Sequence, residues 1–283
     1  MKIVMTLLVR DEEDILDAHL QFHLRQGVDS FIVTDNRSID GTRDILHRYE
    51  KAGVAQVIEE RDDTYAQAEW VTRMARIAHA EHRADWVIPS DADEFWWPKA
   101  GDLKSSLGSL PPSAGILAVS RVNFLPRPAE EGALLERMTL REVSSTNALG
   151  EPLPPKICHR AHPDAVLAQG NHAVEAPGLE LERDREPLII FHFPLRTFGQ
   201  FENKIALGGA AYERNERLPD GVGATWRTLY ERYRAGTLRE HFEEHVLDEV
   251  EIEAGIREGR LIRDRRLREF LCSRERAREE VSA

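Results

Sequence analysis

Apolar and polar stretches alternate along the first hundred residues in a pattern typical of an α/β protein. A continuous apolar run over 3–9 predicts a strand covered on both faces, since half-exposed strands alternate apolar with polar residues. Apolar residues spaced by three and four positions over 14–26 predict a helix. Further strands are predicted at 31–33, 54–58 and 86–88, with helices at 40–51 and 66–81. Strands and helices that alternate through short connections predict a parallel sheet with helices on both faces.

The pattern changes in the middle of the chain. Seven prolines between Pro111 and Pro155 predict loops and hairpins, and apolar runs predict strands at 116–124 and 188–193. Beyond Thr197 charged residues alternate with apolar ones at helical spacing. The sequence therefore predicts an α/β domain over 1–196 and a helical region over 197–283 packed on it.

Composition excludes several classes of protein. The 283 residues are 41% hydrophobic and 31% charged, which is typical of a soluble globular chain. A net charge of −12 gives no overall attraction for nucleic acid or an anionic membrane. Two distant cysteines, Cys158 and Cys272, exclude a disulfide framework. No apolar run reaches the roughly 20 residues of a spanning helix, and the first run lacks a signal-peptide cleavage site, so a cytoplasmic location is expected.

Two aspartates, Asp91 and Asp93, directly follow the strand predicted at 86–88. Ligands of open α/β sheets collect beyond the carboxyl ends of the strands, and residues two apart in extended backbone face the same side. Two carboxylates on one side suit Mg²⁺ or Mn²⁺, which can bridge phosphate oxygens. The alternative for so short a motif is a solvated acidic turn.

Other candidate groups follow other predicted strands. Asp35 stands where a carboxylate can hydrogen-bond a base or ribose. His192 can supply an imidazole to the same metal, with a buried histidine satisfied by backbone as the alternative. Arg196 and Lys204 can meet the charge of a diphosphate leaving group.

Three ordered motifs resemble glycosyltransferase family 2. They are the stretch Thr6–Asp14 with its Val-Arg-Asp-Glu, the Asp-Asn-x-Ser-x-Asp-Gly-Thr run over 35–42, and Asp-Ala-Asp-Glu-Phe over 91–95. Members of that family have a GT-A fold and transfer a sugar from a nucleoside diphosphate donor, usually with inversion. The resemblance implies a Rossmann-like mixed sheet flanked by helices, with a donor half over 1–95, an acceptor half over 96–196 and a helical C-terminal extension.

The resemblance also implies roles for individual residues. Gln67 and Trp70 lie on the helix before the metal motif, where related enzymes carry donor contacts, although Trp70 also suits the core. An inverting transfer needs a base near the acceptor hydroxyl, and His172, Glu94 and Glu175 are the candidates. The residues implied to meet the donor are Leu8, Val9, Arg10, Glu12, Asp35, Arg73, Asp91, Arg196 and Lys204, and those implied to hold the metal are Asp91, Asp93 and His192.

The sequence thus predicts a glycosyltransferase that uses Mn²⁺ or Mg²⁺. Its partners would be a nucleotide sugar and a carbohydrate or glycoconjugate acceptor, in polysaccharide or glycoconjugate synthesis, in the cytoplasm or peripherally at the inner membrane face. A nucleotidyltransferase is one alternative, but it would usually carry a basic glycine-rich loop where residues 10–13 are mostly acidic. A catalytically silent nucleotide-binding or scaffold protein is the other.

Overall fold

A computed structural model of the protein describes residues 1–63, 66–128, 133–215 and 222–273. The strands are β1 (Ile3–Val9), β2 (Ser30–Asp35), β3 (Ala55–Glu59), β4 (Trp86–Ser90), β5 (Glu94–Pro98), β6 (Ala114–Val119), β7 (Arg121–Asn123), β8 (Leu140–Glu142), β9 (Lys156–Arg160), β10 (Val166–Leu167), β11 (Val174–Glu175), β12 (Glu180–Glu182), β13 (Leu188–His192) and β14 (Leu261–Arg263). The helices are α1 (Leu16–Arg25), α2 (Thr42–Lys51), α3 (Gln67–Ala80), α4 (Leu103–Gly108), α5 (Leu134–Arg137), α6 (Phe198–Arg214), α7 (Ala224–Ala235), α8 (Leu238–Glu243) and α9 (Glu249–Arg257), and residues 266–273 are also helical.

A seven-stranded mixed sheet organises the fold, in the order β12-β6-β9-β4-β1-β2-β3. β3, β2, β1 and β4 are mutually parallel, and α1, α2 and α3 connect them in sequence. β9 is antiparallel to both β4 and β6. The predicted fold class, a mixed α/β sheet flanked by helices, is confirmed.

The apolar runs form strands because both faces of the sheet are covered. Every residue of β2 and β4 is buried, including Ile32 and Val87, and α3 packs Val71 and Met74 against the same core cluster. A strand that is covered on both faces buries the apolar side chains of both faces. Each Å² of apolar surface removed from water contributes about 25 cal/mol, so continuous apolar strands are stabilised. The first strand begins and ends at the predicted residues, and the other parallel strands lie within a few residues of their predicted places.

The described residues fall into two compact units that interleave along the chain. The first comprises Met1–Arg121, Leu153–Phe191 and Ala211–Gly223, and the second comprises Val122–Pro152, His192–Ala210 and residues from Ala224 onward. The division into an α/β domain over 1–196 and a helical region over 197–283 stays a prediction. The assignment of donor and acceptor halves stays a prediction.

The second unit contains most of the C-terminal helices. Leu195, Phe201 and Leu229 belong to one apolar cluster, and the strand pair β8–β14 carries another. Asp248 caps α9 by accepting a hydrogen bond from the backbone of Glu251, which reciprocates with its side chain. None of the helices in the described ranges is long and apolar enough to cross a membrane.

Candidate active site

The first unit brings the segments after four strands to one edge of the sheet. β1, β2, β3 and β4 are parallel, with Val9 paired to Asp35 and Asp35 to Glu59 across the register. The residues that follow these strands therefore begin from a common edge. This is the edge at which open α/β sheets bind ligands.

At the end of β4 a buried lysine joins two carboxylates. Lys156 Nζ lies 2.6 Å from Asp91 Oδ2 and 3.2 Å from Glu94 Oε1. The lysine side chain is 2% exposed, and it reaches this position because β9 is the antiparallel neighbour of β4. Arg121 adds a second cation, 3.2 Å from the same Glu94 oxygen. Two carboxylates and two cations thus form a buried network, which we call the Lys156 network.

The two acidic members of this network differ in their access to solvent. The Glu94 side chain is fully buried, and desolvation raises its pKa while the Lys156 charge opposes that rise. The Asp91 side chain is 33% exposed, and its second oxygen is 3.5 Å from the amide of Asn171. Asp91 is therefore the network carboxylate that a ligand can reach, whereas the Glu94 carboxylate is enclosed by cations.

Whether the predicted metal site is complete depends on how many ligand groups the fold brings together. No group of three or more His, Cys, Asp or Glu side chains within the described ranges is arranged to hold a metal ion. Mg²⁺, however, commonly takes one or two carboxylates together with water and substrate phosphates. Asp91, whose side chain is one-third exposed, fits such a shared cation, although not a cage built by the protein alone.

The other predicted metal ligands have different surroundings. Asp93 is 2% exposed, and its charge acts on the buried imidazole of His19. His192 belongs to the second unit, where its Nδ1 lies 2.8 Å from the side-chain oxygen of Asn123. Their role as metal ligands stays a prediction.

The candidate base His172 has its protonation state fixed by a backbone carbonyl. Its Nδ1 lies 2.8 Å from the carbonyl oxygen of Pro155. Because a carbonyl only accepts, Nδ1 carries the hydrogen and Nε2 keeps its lone pair in the neutral ring. Burial, and then the charge of Lys156, lower the pKa of His172 to about 4. The imidazole is therefore neutral at physiological pH, with a basic nitrogen at Nε2.

A glycine shapes the position of this ring. Gly170 lies in a 3-10 turn at φ +75°, and a Cβ there would stand 2.6 Å from His172 Cδ2 and 2.7 Å from Nε2. The absence of a side chain at residue 170 lets the imidazole edge approach the backbone. The third candidate base, Glu175, is exposed on the short strand β11.

Asp35 is placed at the end of β2 as predicted, but its oxygens serve the local fold. Oδ1 accepts a hydrogen bond from the backbone of Ser38 at 3.0 Å, and Oδ2 accepts one from Arg43 Nε at 2.8 Å. The carboxylate is 1% exposed and fixes the turn that leads into α2. A contact between Asp35 and a nucleoside stays a prediction.

The remaining predicted donor residues lie in several places. Leu8 and Val9 are at the end of β1, and Glu12 is buried beside Thr42, whose hydroxyl accepts its backbone hydrogen bond at 2.9 Å. Arg73 on α3 pairs with Glu60 at 3.1 Å. Residues assigned to the second unit are Arg196, which is fully buried, and Lys204, which is partly buried on α6.

Gln67 and Trp70, on the helix predicted to carry donor contacts, are buried, and so is Cys158. Trp70 is 5% exposed and packs in the core, and Gln67 accepts a hydrogen bond from the backbone of Gly170 at 3.0 Å. Gln67 thereby fixes the turn that carries His172. Burial raises the pKa of the Cys158 thiol, so this cysteine is an inert core residue.

Sequence reasoning missed a second charged cluster at the same edge of the sheet. Arg10 after β1, Arg37 after β2 and Arg214 at the end of α6 all contact Asp63, at 2.7, 3.1 and 2.8 Å. We call these three residues the arginine cluster. Only Arg10 had been singled out, since nothing in the spacing of the others brings them together.

Comparison with known proteins places the chain in a family. The sequence model of glycosyltransferase family 92 matches residues 5–174, more than half of the chain. No curated protein sequence matches. S. aureus TarS (residues 1–349) is similar in structure, with 11% identity, a TM-score of 0.45 and 92% of each chain covered. Its complex with UDP-GlcNAc gives 13% identity, a TM-score of 0.44 and coverage of 86% and 73%.

A glucosyl-3-phosphoglycerate synthase from Mycobacterium tuberculosis, solved with Mg²⁺ and UDP, is also similar, with 19% identity, a TM-score of 0.30 and coverage of 42% and 43%. The matching family model confirms the prediction of a glycosyltransferase, whereas membership of family 2 is not confirmed. The chain belongs to glycosyltransferase family 92.

Proposed function

We propose that the protein transfers a sugar from a nucleoside diphosphate sugar to a hydroxyl of a carbohydrate or glycoconjugate acceptor, with inversion. The observation that carries the proposal is the Lys156 network. It holds the partly exposed carboxylate of Asp91 at the carboxyl end of β4, next to a histidine with a basic nitrogen. A carboxylate to organise the donor and a base for the acceptor are the two groups that such a transfer requires.

In this proposal Asp91 holds a divalent cation that arrives with the diphosphate. Mn²⁺ or Mg²⁺ would neutralise charge that grows on the departing phosphate. Lys156 fixes the position of the Asp91 carboxylate, because its ammonium is buried between two acids. The contact of Arg196 and Lys204 with a diphosphate stays a prediction from the sequence.

We assign the general base to His172. The acceptor oxygen would attack the anomeric carbon, its proton would pass to Nε2, and the bond to the diphosphate would break with its electron pair on phosphate oxygen. The pKa of about 4 makes this nitrogen a weak base in the ligand-free protein. A bound diphosphate places negative charge nearby, which raises the pKa toward the value that a working base needs.

Glu94 and Glu175 suit the role less well. The Glu94 carboxylate is fully buried and already bound by Lys156 and Arg121, so accepting a proton would dissolve two ion pairs. Glu175 is exposed on β11, whereas His172 is partly buried. His172 alone among the three combines partial burial with a fixed tautomer.

The test is a transfer and donor-hydrolysis assay over a panel of nucleotide sugars with Mn²⁺. We expect Asp91→Asn to abolish measurable turnover. His172→Asn keeps a side-chain donor for the Pro155 carbonyl but removes the base, so kcat should fall by about 100-fold or more. His47→Asn, on an exposed face of α2, is the matched control. Nucleotide binding without turnover over the whole panel would instead identify a silent binding protein.

A further inference from the structure

The arginine cluster carries more positive charge than its carboxylate can balance. Three guanidinium groups meet the single acid Asp63, in a chain whose net charge is −12. Although burial acts in the opposite direction, the Arg10 hydrogen bond and the three positive charges lower the pKa of Asp63. Asp63 is therefore ionised at neutral pH, and within the described part of the chain the three guanidinium groups outnumber the one carboxylate that they share by two.

The cluster is built by buried and strained parts of the fold. Arg10 Nε is buried and has no hydrogen-bond partner among the described residues. Arg37 lies at φ +64°, a left-handed conformation that costs a side chain other than glycine about 1 kcal/mol. Asn36, which is buried, donates to the carbonyl oxygens of Glu60 at 3.2 Å and Asp62 at 2.6 Å. These contacts fix the segment that presents Asp63.

The three arginines surround the Asp63 carboxylate as they would surround a bound oxyanion. Arg10 contacts one carboxylate oxygen, and Arg37 and Arg214 share the other. Guanidinium groups bind phosphate through the same planar, charge-assisted hydrogen bonds, and a phosphate has more oxygens and more charge than a carboxylate. Arg37 and Arg214 are each 48% exposed, so a ligand can reach them from solvent.

We propose that the arginine cluster is a phosphate-binding site and that Asp63 occupies the phosphate position until a ligand displaces it. The phosphate would come from the diphosphate of the donor or from a phosphorylated acceptor. If it is the donor's, the inference rests on the proposed function. Asp63 would then act as an internal competitor that lowers the affinity for phosphate and prevents the three arginines from repelling one another in the ligand-free protein.

Two substitutions in and beside the arginine cluster should change the affinity for phosphate in opposite directions. Asp63→Asn removes the competitor and should tighten phosphate binding by about tenfold, while Arg214→Met removes a ligand group and should weaken it by about tenfold. The matched controls are Asp17→Asn and Arg48→Met, since these two residues form a comparable pair at 3.0 Å on the surface. Both controls should change the dissociation constant less than about twofold.

The measurement is calorimetric titration at low salt with EDTA, so that a divalent cation on Asp91 does not contribute. The probes are inorganic pyrophosphate, UDP and glucose 6-phosphate. If both variants change the affinity for pyrophosphate and UDP but not for glucose 6-phosphate, the phosphate comes from the diphosphate of the donor. If both variants change the affinity for glucose 6-phosphate, the phosphate comes from a phosphorylated acceptor.

Weakened or unchanged binding in Asp63→Asn would overturn the inference, as would unchanged binding in Arg214→Met or no binding of any probe. These outcomes are independent of transfer. If the wild-type protein shows no turnover while Asp63→Asn binds pyrophosphate more tightly, the proposed function fails and the phosphate site stands. If turnover depends on Asp91 and His172 but Asp63→Asn changes no affinity, the reverse holds.

Discussion

Replacing Lys156 with methionine should destabilise the protein through one identifiable charge. The methionine side chain has nearly the length of lysine without its ammonium group, so packing changes little. The ammonium lies between Asp91 and the fully buried Glu94, at 2.6 and 3.2 Å. Without it, Arg121 is the one cation left in the described contacts of Glu94.

The expected magnitude follows from the burial of each partner. Removing one member of a buried ion pair costs about 3–5 kcal/mol, because the other charge stays in a poorly solvated place. The share of Asp91 is smaller, about 1 kcal/mol or less, because its side chain is one-third exposed. Protonation of Glu94, whose pKa burial already raises, limits the loss. We expect Lys156→Met to lower the free energy of unfolding by about 3 kcal/mol at pH 8.

The pH dependence identifies the cause. Without Lys156 the folded-state pKa of Glu94 rises further above its unfolded value, so the variant binds a proton on folding and is stabilised as pH falls. The gap in unfolding free energy between wild type and Lys156→Met should therefore shrink from pH 8 to pH 5.5. Urea denaturation at both pH values measures it.

A double variant and a surface control complete this test. Adding Glu94→Gln to Lys156→Met removes the stranded charge and should recover part of the loss. Lys104→Met, which breaks an exposed pair with Asp29, should cost less than about 1 kcal/mol. Equal stability of wild type and Lys156→Met at pH 8, or a loss independent of pH and of Glu94, would refute the reasoning.

Three further predictions concern histidines and one glycine. Burial lowers the pKa of His19 to about 3 and of His159 to about 4, so each should remove about 2 kcal/mol of stability from pH 7 to pH 5, where only the unfolded chain is protonated. Urea titrations of His159→Gln should show a flatter dependence, and an unchanged slope would contradict this. Gly170→Ala should lower kcat by displacing His172, whereas Gly178→Ala, at a similar φ of +76° with open space around it, should cost only about 1 kcal/mol of stability. Equal activity of the two glycine variants would exclude a role for the His172 position.

The sequence predicts the parallel part of the sheet well because the signal is local. A strand buried on both faces needs a continuous apolar run, and Ile3–Val9 is such a run from its first residue to its last. The predicted strand over 116–124 instead divides into β6 and β7 at Ser120. Apolar content alone does not show where a strand leaves one sheet, so this break was missed.

The site is predicted only in part because its decisive contacts are not local. Asp91 is found from its place after a strand, but Lys156 reaches it across 65 positions of sequence. Arg214 reaches Asp63 across 151 positions. The tautomer of His172 depends on a carbonyl 17 residues away. Sequence spacing identifies the carboxylates and the imidazole. The cations that contact the carboxylates, Lys156 and Arg214, are identified only from the three-dimensional positions of β9 and α6.

The two charged groups at the sheet edge should respond differently to salt. In the Lys156 network the ammonium is 2% exposed, so mobile ions have little access to it. In the arginine cluster, two of the three guanidinium groups are about half exposed, and ions screen such charges over a Debye length of about 8 Å at physiological ionic strength. Added salt should therefore weaken phosphate binding by the cluster much more than it weakens the ion pair between Lys156 and Asp91. If a nucleotide contacts both the arginine cluster and Asp91, its affinity should fall as salt is added. The loss of affinity caused by substituting Asp91 should stay the same at each salt concentration. These two responses distinguish charge attraction by the arginines from the positioning of the nucleotide by Asp91.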